Sequence, residues 1–277
     1  MSKRRRKPGP DDFRSRFGFH TTPFSRELSV DRRHVLPYVE EVVESLYRTL
    51  LLRESAALIA PAGTGKTVVA RALKARLPEA RFHVHYVKVT DLSKRDMCRE
   101  IALAADCKPA GNFPTLVRRL QERFQRGAES DGVRPVLILD DAHEMRPETL
   151  SLLKVLTNYD MDSRLVLSVV LVGQPALRKT LRREDLEDVA RRLAHYAALR
   201  LLSREETRAY LEHRSALAGA VTPPFDESAY EAAYELSRGN MRAIDRLSLT
   251  ALQIASRADH DVASGTHFAE ARKSLWP

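Results

Sequence analysis

Hydrophobic and polar residues follow two different periods along this chain, and the period changes at short intervals. Apolar or alternating runs with a period near two predict strands, and longer runs with apolar residues three and four apart predict helices. The predicted strands are 56–59, 82–89, 136–139, 165–172 and 196–201, and the helices that precede or separate them are 40–52, 67–77, 93–105, 112–126 and 147–156. From residue 203 the pattern is helical throughout, with predicted helices 203–217, 226–237, 241–257 and 268–274.

This order of elements predicts the fold class. Strands that alternate with helices form a parallel sheet covered on both faces, because each return to a parallel neighbour needs a crossover connection. We therefore predict an α/β protein, a three-layer αβα sandwich with a five-stranded parallel sheet, followed by a small all-helical domain. The predicted boundaries are 1–16 for a basic disordered arm, 17–200 for the sandwich and 201–277 for the helical domain.

The most informative stretch is 60–67, which reads APAGTGKT between a predicted strand and a predicted helix. Gly63 and Gly65 allow the backbone to turn so that successive N–H groups face one anion, and the positive end of the next helix adds to the attraction. Lys66 can reach the β- and γ-phosphates of a nucleotide, and the Thr67 hydroxyl can hold Mg²⁺. The pattern is that of a phosphate-binding P-loop. The expected contacts with ATP come from Ala60 (where the motif usually has Gly), Pro61, Ala62, Gly63, Thr64, Gly65, Lys66, Thr67 and Val68.

A second motif is the run 136–141, VLILDD, an apolar strand that ends in two carboxylates. P-loop enzymes need an Asp at the tip of such a strand to complete the Mg²⁺ site. Asp140 and Thr67 are therefore predicted to hold the ion. The alternative interpretation is a buried strand that runs into a turn, with Asp140 and Asp141 capping the following helix.

The composition limits the class of protein. The 277 residues are 43% hydrophobic, which is enough to bury a core, and the longest near-continuous apolar run, 165–172, is far shorter than a membrane span. Cys98 and Cys107 are too few for a disulfide framework, and the N-terminus lacks the apolar segment of a secretory signal. We therefore expect a cytoplasmic protein without membrane contact.

The net charge of +9 is concentrated near the N-terminus, where Lys3–Lys7 is an unbroken basic run. Such an arm is disordered by itself and attracts polyanions, because each neutralised DNA phosphate releases condensed counterions. A solubilising tail is the alternative interpretation of the run. The sequence pI of about 9.7 favours nucleic acid as the partner.

Four further stretches connect these motifs with a known family. They are 17–24 (FGFHTTPF), 171–181 (LVGQPALRKTL), 202–214 (LSREETRAYLEHR) and 237–247 (SRGNMRAIDRL). Together with the P-loop and the DD strand, and in this order, they resemble the AAA+ ATPases, and among these the ExeA/TniB group. That group includes the ATPases that accompany DDE transposases, such as TniB and TnsC, and the secretion ATPase ExeA. The resemblance covers nearly everything after the basic arm and implies that 201–277 is the lid domain of an AAA+ protein.

The resemblance implies a catalytic or sensing role for four positions. Asp141 occupies the place where the family usually has a Glu that polarises the attacking water, and it is one methylene shorter. Glu144, three residues further on, is the less favoured alternative. Gln174 matches the sensor 1 residue that reads the γ-phosphate, and Arg192 matches the arginine finger that acts on a neighbour's ATP. Arg242 matches the sensor 2 arginine, with Met241 where the family has Pro. An exposed helix end is the alternative interpretation of Arg192, and a surface position that of Arg242.

The resemblance also implies a function in DNA transposition. Relatives of this kind oligomerise on double-stranded DNA when ATP is bound, largely without sequence preference, and recruit or activate a DDE transposase together with a target-selection factor. Lys94, Arg95 and Lys108 match the loops that contact DNA. Slow ATP hydrolysis then acts as a switch that releases an oligomer, which is either a closed ring or a helical filament.

Two other functions stay open. One is a secretion or cell-envelope ATPase like ExeA; such proteins continue into a transmembrane helix and a periplasmic peptidoglycan-binding domain. This chain has no span and stops at Pro277 after the predicted lid, which favours transposition. The other is a nucleotide-gated binding module that does not hydrolyse ATP, which a measurement of phosphate release would distinguish.

Overall fold

The computed structural model of the protein describes residues 13–275 apart from 26, 28 and 131. The basic run Lys3–Lys7 lies outside the described residues. The described chain divides into two compact units, one of them Val35–Leu199 and the other made of the residues before Val35 and those from Arg200 onward. The second unit therefore includes the described residues of 17–34, which were predicted to belong to the sandwich. Residues 13–16, predicted as part of the disordered arm, are helical.

The sheet lies in the Val35–Leu199 unit. Its strands are β1 (Ser55–Ile59), β2 (Phe82–Lys88), β3 (Arg134–Asp140), β4 (Ser168–Gly173) and β5 (Leu193–Ala198). All neighbours are parallel, and the order is β2-β3-β4-β1-β5. The predicted five-stranded parallel sheet is confirmed. β5 begins three residues before its predicted start, because this edge strand mixes buried Leu193 and Ala197 with exposed residues and so lacks a continuous apolar run.

Most of the predicted helices are present, but the predicted helix 147–156 is divided at Ser151, and the short helices 13–16, 175–181 and 187–191 were not predicted. In chain order the helices are α1 (Phe13–Arg16), α2 (Pro37–Leu51), α3 (Lys66–Arg76), α4 (Lys94–Ala104), α5 (Phe113–Ser130), α6 (Pro147–Leu150), α7 (Leu152–Leu156), α8 (Pro175–Leu181), α9 (Glu187–Arg191), α10 (Arg204–Ala218), α11 (Glu227–Ser237), α12 (Met241–Arg257) and α13 (Gly265–Leu275). Ser93 caps α4 by accepting from the Asp96 N–H, and Asn112 caps α5 by accepting from the Thr115 N–H. These caps satisfy N–H groups that lack a partner within the helix.

Both faces of the sheet are covered by helices, as the sequence predicted. α2 contacts β1 and β5, and α3 contacts β4. α4 contacts β2, and α5 contacts β3. Leu116, Leu120 and Phe124 on α5 are fully or almost fully buried against the sheet. Each such side chain stabilises the fold by about 2–3 kcal/mol relative to an exposed position. The core therefore holds the carboxyl ends of the strands in fixed register.

That register places three chain segments at one edge of the sheet. Ile59 at the end of β1 pairs with Gly173 at the end of β4, and Asp140 at the end of β3 pairs with Val172. The Ala60 N–H also donates to the Gly173 carbonyl, at 3.0 Å. The glycine-rich loop, the DD motif and the residue after Gly173 consequently lie at the same edge.

The second unit is helical throughout its C-terminal part. The predicted capping box of α10 is present, with Ser203 accepting from the Glu206 N–H and the Glu206 carboxylate accepting from the Ser203 N–H. Arg214 on α10 is buried and donates to the Ser25 carbonyl at 2.6 Å and the Tyr210 hydroxyl at 2.7 Å. The segment that precedes Val35 is thereby attached to the helical unit.

Candidate nucleotide-binding site

The loop between β1 and α3 has the backbone of an anion-binding turn. Gly63 and Gly65 have φ values of +78° and +87°, which residues with a Cβ atom rarely adopt. Thr64 is buried, and its hydroxyl donates to the Pro61 carbonyl at 2.9 Å. Ala60, where the motif usually has Gly, is not among the residues with positive φ, so its Cβ causes no backbone strain.

Lys66 is the first residue of α3 and is only 8% exposed. Its ammonium donates to the carbonyls of Ala60 at 3.1 Å and Pro61 at 2.9 Å. These two carbonyls belong to the loop itself, so the ammonium lies at the loop. A buried cation beside a helix N-terminus is a strong attractor for phosphate.

Asp140 is the centre of a compact hydrogen-bonded group. It is 2% exposed, and its Oδ2 accepts from the Thr67 hydroxyl at 2.9 Å and from the Tyr86 hydroxyl at 3.0 Å. Its Oδ1 accepts from the Asp141 N–H at 2.9 Å. The hydroxyl and the carboxylate predicted to share a magnesium ion thus lie in contact. Oxygen ligands of this kind are those that Mg²⁺ prefers.

Tyr86 was not predicted from the sequence. Burial and the adjacent Asp140 carboxylate raise the pKa of its hydroxyl well above the ordinary value, so it remains a hydrogen-bond donor at neutral pH. The available signal was the alternation of β2, in which Tyr86 and Lys88 share one face and Lys88 pairs in register with Asp140. Only the strand order makes that face adjacent to the DD motif.

Asp141 follows Asp140 with a left-handed backbone, φ +59° and ψ +32°. Asp and Asn tolerate this region better than longer side chains do, because their short polar groups bond locally. Its side chain is 36% exposed, and one carboxylate oxygen lies 3.9 Å from the Lys88 ammonium. The backbone geometry gives a physical reason for Asp at this position.

Gln174 begins the turn into α8 and contacts His143, a residue that the sequence analysis did not select. The Gln174 Nε2 and the His143 Nε2 lie 2.5 Å apart. Glu144 Oε1 lies 3.2 Å from the same imidazole nitrogen, and the His143 side chain is only 8% exposed. The structure therefore connects the turn after β3 with the turn after β4 through one imidazole.

Arg192 is not brought to this group within one chain. It directly precedes β5, which runs parallel to β1, so it lies at the opposite edge of the sheet from the glycine-rich loop. The five residues of β1 separate the two edges by about 17 Å. The guanidinium forms a two-pronged ion pair with Asp162, at 2.5 and 2.8 Å, which lowers the pKa of the Asp162 carboxyl.

The remaining predicted residues lie in two places. Lys94 and Arg95 are in the first turn of α4, and the Arg95 guanidinium donates to the Gly111 carbonyl at 3.3 Å. Lys108 is exposed in the loop before α5, where Arg119 donates to its carbonyl at 2.7 Å. The three predicted DNA contacts therefore lie on adjoining segments. Arg242 is exposed in the first turn of α12, in the helical unit.

Comparison with known proteins explains the loop and the carboxylate group together. A protein-family model described as an AAA domain matches residues 50–181, which span β1 to β4. This chain contains an AAA domain. The AAA domain includes the glycine-rich loop, Asp140 and Gln174, so the site has the parts of the AAA+ P-loop nucleotide-binding fold.

The chain has a curated relative in the General secretion pathway protein A of Aeromonas hydrophila. The two sequences are 34% identical over 208 residues, which is 73% of this chain and 37% of that protein. The chain thus spans little more than a third of the length of this relative. The predicted likeness to ExeA-type proteins is confirmed, whereas the transposition subgroup remains a prediction.

Solved structures show the same fold. Cdc6p from Pyrobaculum aerophilum has a TM-score of 0.73 at 18% identity, over 91% of this chain and 70% of that one. The Aeropyrum pernix ORC1 protein, solved in complex with DNA, has a TM-score of 0.71 at 20% identity, over 93% and 70%. The RuvB Holliday junction branch migration motor of Thermotoga maritima has a TM-score of 0.61 at 17% identity, over 91% and 73%. At these identities the likeness concerns the fold.

Across the described ranges, none of the helices combines the length and the apolar character that a bilayer span requires.

Proposed function

We propose that this chain is a magnesium-dependent ATPase whose nucleotide lies against the loop from Ala60 to Val68. The observation that carries the proposal is the 2.9 Å contact between the Thr67 hydroxyl and the Asp140 carboxylate. This contact joins the phosphate-binding loop to the carboxylate strand and supplies two oxygen donors of the kind that Mg²⁺ prefers. The ion, when bound, neutralises the phosphate oxygens as charge develops on them. Lys66 supports this site as a buried cation.

The other site residues have separate roles in ATP hydrolysis. Asp141 acts as the base that orients the attacking water, since it adjoins the metal carboxylate and remains partly exposed. Gln174 reads the γ-phosphate, and Arg242 acts as the sensor 2 arginine. Arg192 acts on the ATP of a second copy, because it lies at the amino-terminal end of β5, away from the glycine-rich loop of its own chain. Turnover is consequently slow in a single chain and stimulated by assembly.

The identity of the base is tested by two carboxylate replacements. We expect Asp141→Asn to lower the rate of hydrolysis about 10²-fold, because an amide keeps the size and the left-handed backbone but takes up no proton. Glu144→Gln should change the rate by less than about threefold, since the Glu144 side chain is 57% exposed and the amide oxygen of Gln can still accept from His143. Single-turnover phosphate release and calorimetric ATP affinity would be measured for each. If Glu144→Gln hydrolysed ATP slowly and Asp141→Asn at the unaltered rate, Glu144 and not Asp141 would be the base.

We further propose that the ATP-bound chain oligomerises on double-stranded DNA and regulates transposition by recruiting or activating a DDE transposase. Lys94, Arg95 and Lys108 support this, because their segments adjoin and carry cations suited to phosphate contacts without base readout. The net charge of +9 and the DNA complex of the ORC1 neighbour point the same way. Hydrolysis then releases the oligomer, as a switch.

A secretion ATPase is the second candidate. The identity of 34% with the General secretion pathway protein A supports it directly. ATP binding and hydrolysis are common to both candidates, so measurements on the nucleotide alone do not separate them. Binding to DNA separates them.

The decisive experiment measures binding to random-sequence duplex DNA at several salt concentrations, with ATP, a non-hydrolysable analogue, ADP or no nucleotide. We expect binding that requires the triphosphate and weakens steeply with salt, because neutralised phosphates release counterions. Lys94→Ala, Arg95→Ala and Lys108→Ala, combined, should weaken binding and lower the salt slope by about two to three units.

The matched control combines three exposed basic residues elsewhere in the sequence, Arg71, Arg178 and Lys179, each changed to alanine. These changes remove the same charge, so they reveal any contribution of net charge alone. An ATPase that binds duplex DNA under none of the four nucleotide conditions would contradict the transposition proposal and favour the secretion candidate. A chain that binds nucleotide but releases no phosphate would be a binding module.

A further inference from the structure

His143 has an environment that none of the roles above explains. It lies in the short turn Ala142–Glu144, directly after the DD motif, and its side chain is 8% exposed. Its Nε2 contacts both the Gln174 amide and the Glu144 carboxylate. Its Nδ1 is buried without a hydrogen-bond partner among the described residues. Burying a polar ring costs free energy unless its nitrogens form hydrogen bonds.

The packing around His143 leaves it little freedom. Gly173 precedes Gln174, and a Cβ at that position would lie 2.8 Å from Leu177 Cδ2 and 3.3 Å from the His143 backbone nitrogen. A side chain at this position would crowd both Leu177 and the His143 turn, so glycine favours the close approach of the end of β4 to that turn. The close approach brings the Gln174 amide within reach of the imidazole.

The neighbouring carboxylate selects the tautomer of the ring. A neutral imidazole carries one N–H and one lone pair. The Glu144 carboxylate only accepts, so it favours the proton on the nearby Nε2. A proton on Nδ1 would instead have no acceptor among the described residues. The best partner for Nε2–H on Gln174 is the amide oxygen, and a half-turn of the amide places that oxygen inward and its NH₂ group outward.

We propose that His143 is a positioning residue for Gln174. Its Nε2–H holds the amide oxygen, so that the NH₂ group of Gln174 is presented as a donor to the γ-phosphate. This inference rests on the proposed function, in which Gln174 distinguishes ATP from ADP. An apolar ring in place of the imidazole would fill the same space but would leave the amide free to turn its oxygen towards the phosphate, where it repels.

The test compares the affinities of a non-hydrolysable ATP analogue and of ADP, measured by calorimetry with Mg²⁺ on the full chain. We expect His143→Phe to lower the affinity for the ATP analogue about tenfold and the affinity for ADP by less than about twofold. The variant loses the hydrogen bond from Gln174 to the charged γ-phosphate, and ADP has no γ-phosphate. His143→Gln keeps an N–H donor and should retain most of the preference for the analogue. The control is His85→Phe, another buried histidine of the same unit, which should leave both affinities unchanged.

A double-mutant cycle with Gln174→Ala completes the test. His143→Phe should lower the preference for the analogue no further once Gln174 is absent, because the imidazole acts only through the amide. The inference would be overturned if His143→Phe lowered the affinities for both nucleotides equally, or if its effect added fully to that of Gln174→Ala. His143 would then be a packing residue. Failure of the unaltered chain to bind either nucleotide would contradict the proposed function itself.

Discussion

Replacing Lys66 with alanine is expected to abolish ATP binding and to lower kcat/KM for hydrolysis by at least about 10³-fold. The Lys66 ammonium is 8% exposed and lies within hydrogen-bond distance of two loop carbonyls. A cation at such a depth attracts phosphate far more strongly than one in water, because little solvent screens the charge. Titration calorimetry with Mg²⁺ and a non-hydrolysable ATP analogue measures the binding, and phosphate release measures the rate.

Lys74→Ala is the matched control, since Lys74 is an exposed lysine on the same helix. It removes the same charge from α3 without touching the loop, so nucleotide affinity should stay within about twofold. Thermal unfolding of both variants would establish that α3 is intact. Equal affinities of Lys66→Ala and the unaltered chain would rule out this loop as the phosphate site.

Arg192→Ala is expected to leave ATP affinity unchanged and to abolish the stimulation of turnover that accompanies assembly, a loss of at least about 10³-fold. The physical reason is position. Arg192 lies at the amino edge of its own sheet, so it can reach a γ-phosphate only in a second copy. Its planar fork suits a phosphate as it suits the carboxylate of Asp162, which it binds here through both nitrogens. Phosphate release as a function of protein concentration, with and without duplex DNA, is the measurement.

Arg191→Ala provides the control for Arg192. The two arginines are adjacent, but Arg191 is 74% exposed and pairs with Glu187 on its own helix. Its removal should leave turnover unchanged. Because Arg192→Ala also breaks the pair with the exposed Asp162, the free energy of unfolding should be measured, and only a small loss is expected, since solvent screens exposed ion pairs. Stimulated turnover equal to that of the unaltered chain would show that Arg192 is not the residue that acts between copies.

Much of the fold was predictable because its signals are local. β1 and β3 are short apolar runs, and α10 begins at a capping box that four consecutive residues specify. The α12 boundaries predicted from periodicity agree with the structure. Boundaries were less accurate where burial is mixed, as at β5, whose edge position leaves alternate residues exposed. Burial alternates along β5, but the sequence does not show it, because the polar His195 lies on the more buried face and the aromatic Tyr196 on the exposed one.

The candidate site was predictable only in part, for a related reason. Lys66 and Thr67 are adjacent to the glycines that identify them, and Asp140 ends an apolar strand. Tyr86 contacts Asp140 across 54 positions of sequence, and His143 contacts Gln174 across 31. Neither pair has a spacing that a pattern could identify.

The sequence by itself determined the class of the fold and the chemistry of the loop, because hydrophobic period, helix caps and the APAGTGKT run each act through neighbours in the chain. The tertiary structure decided the strand order, β2-β3-β4-β1-β5, and with it which side chains meet. Tyr86 lies against Asp140, Gln174 lies against His143, and Arg192 lies at the far edge, because parallel strands in one register bring together residues that are distant in sequence and separate others by a full strand length.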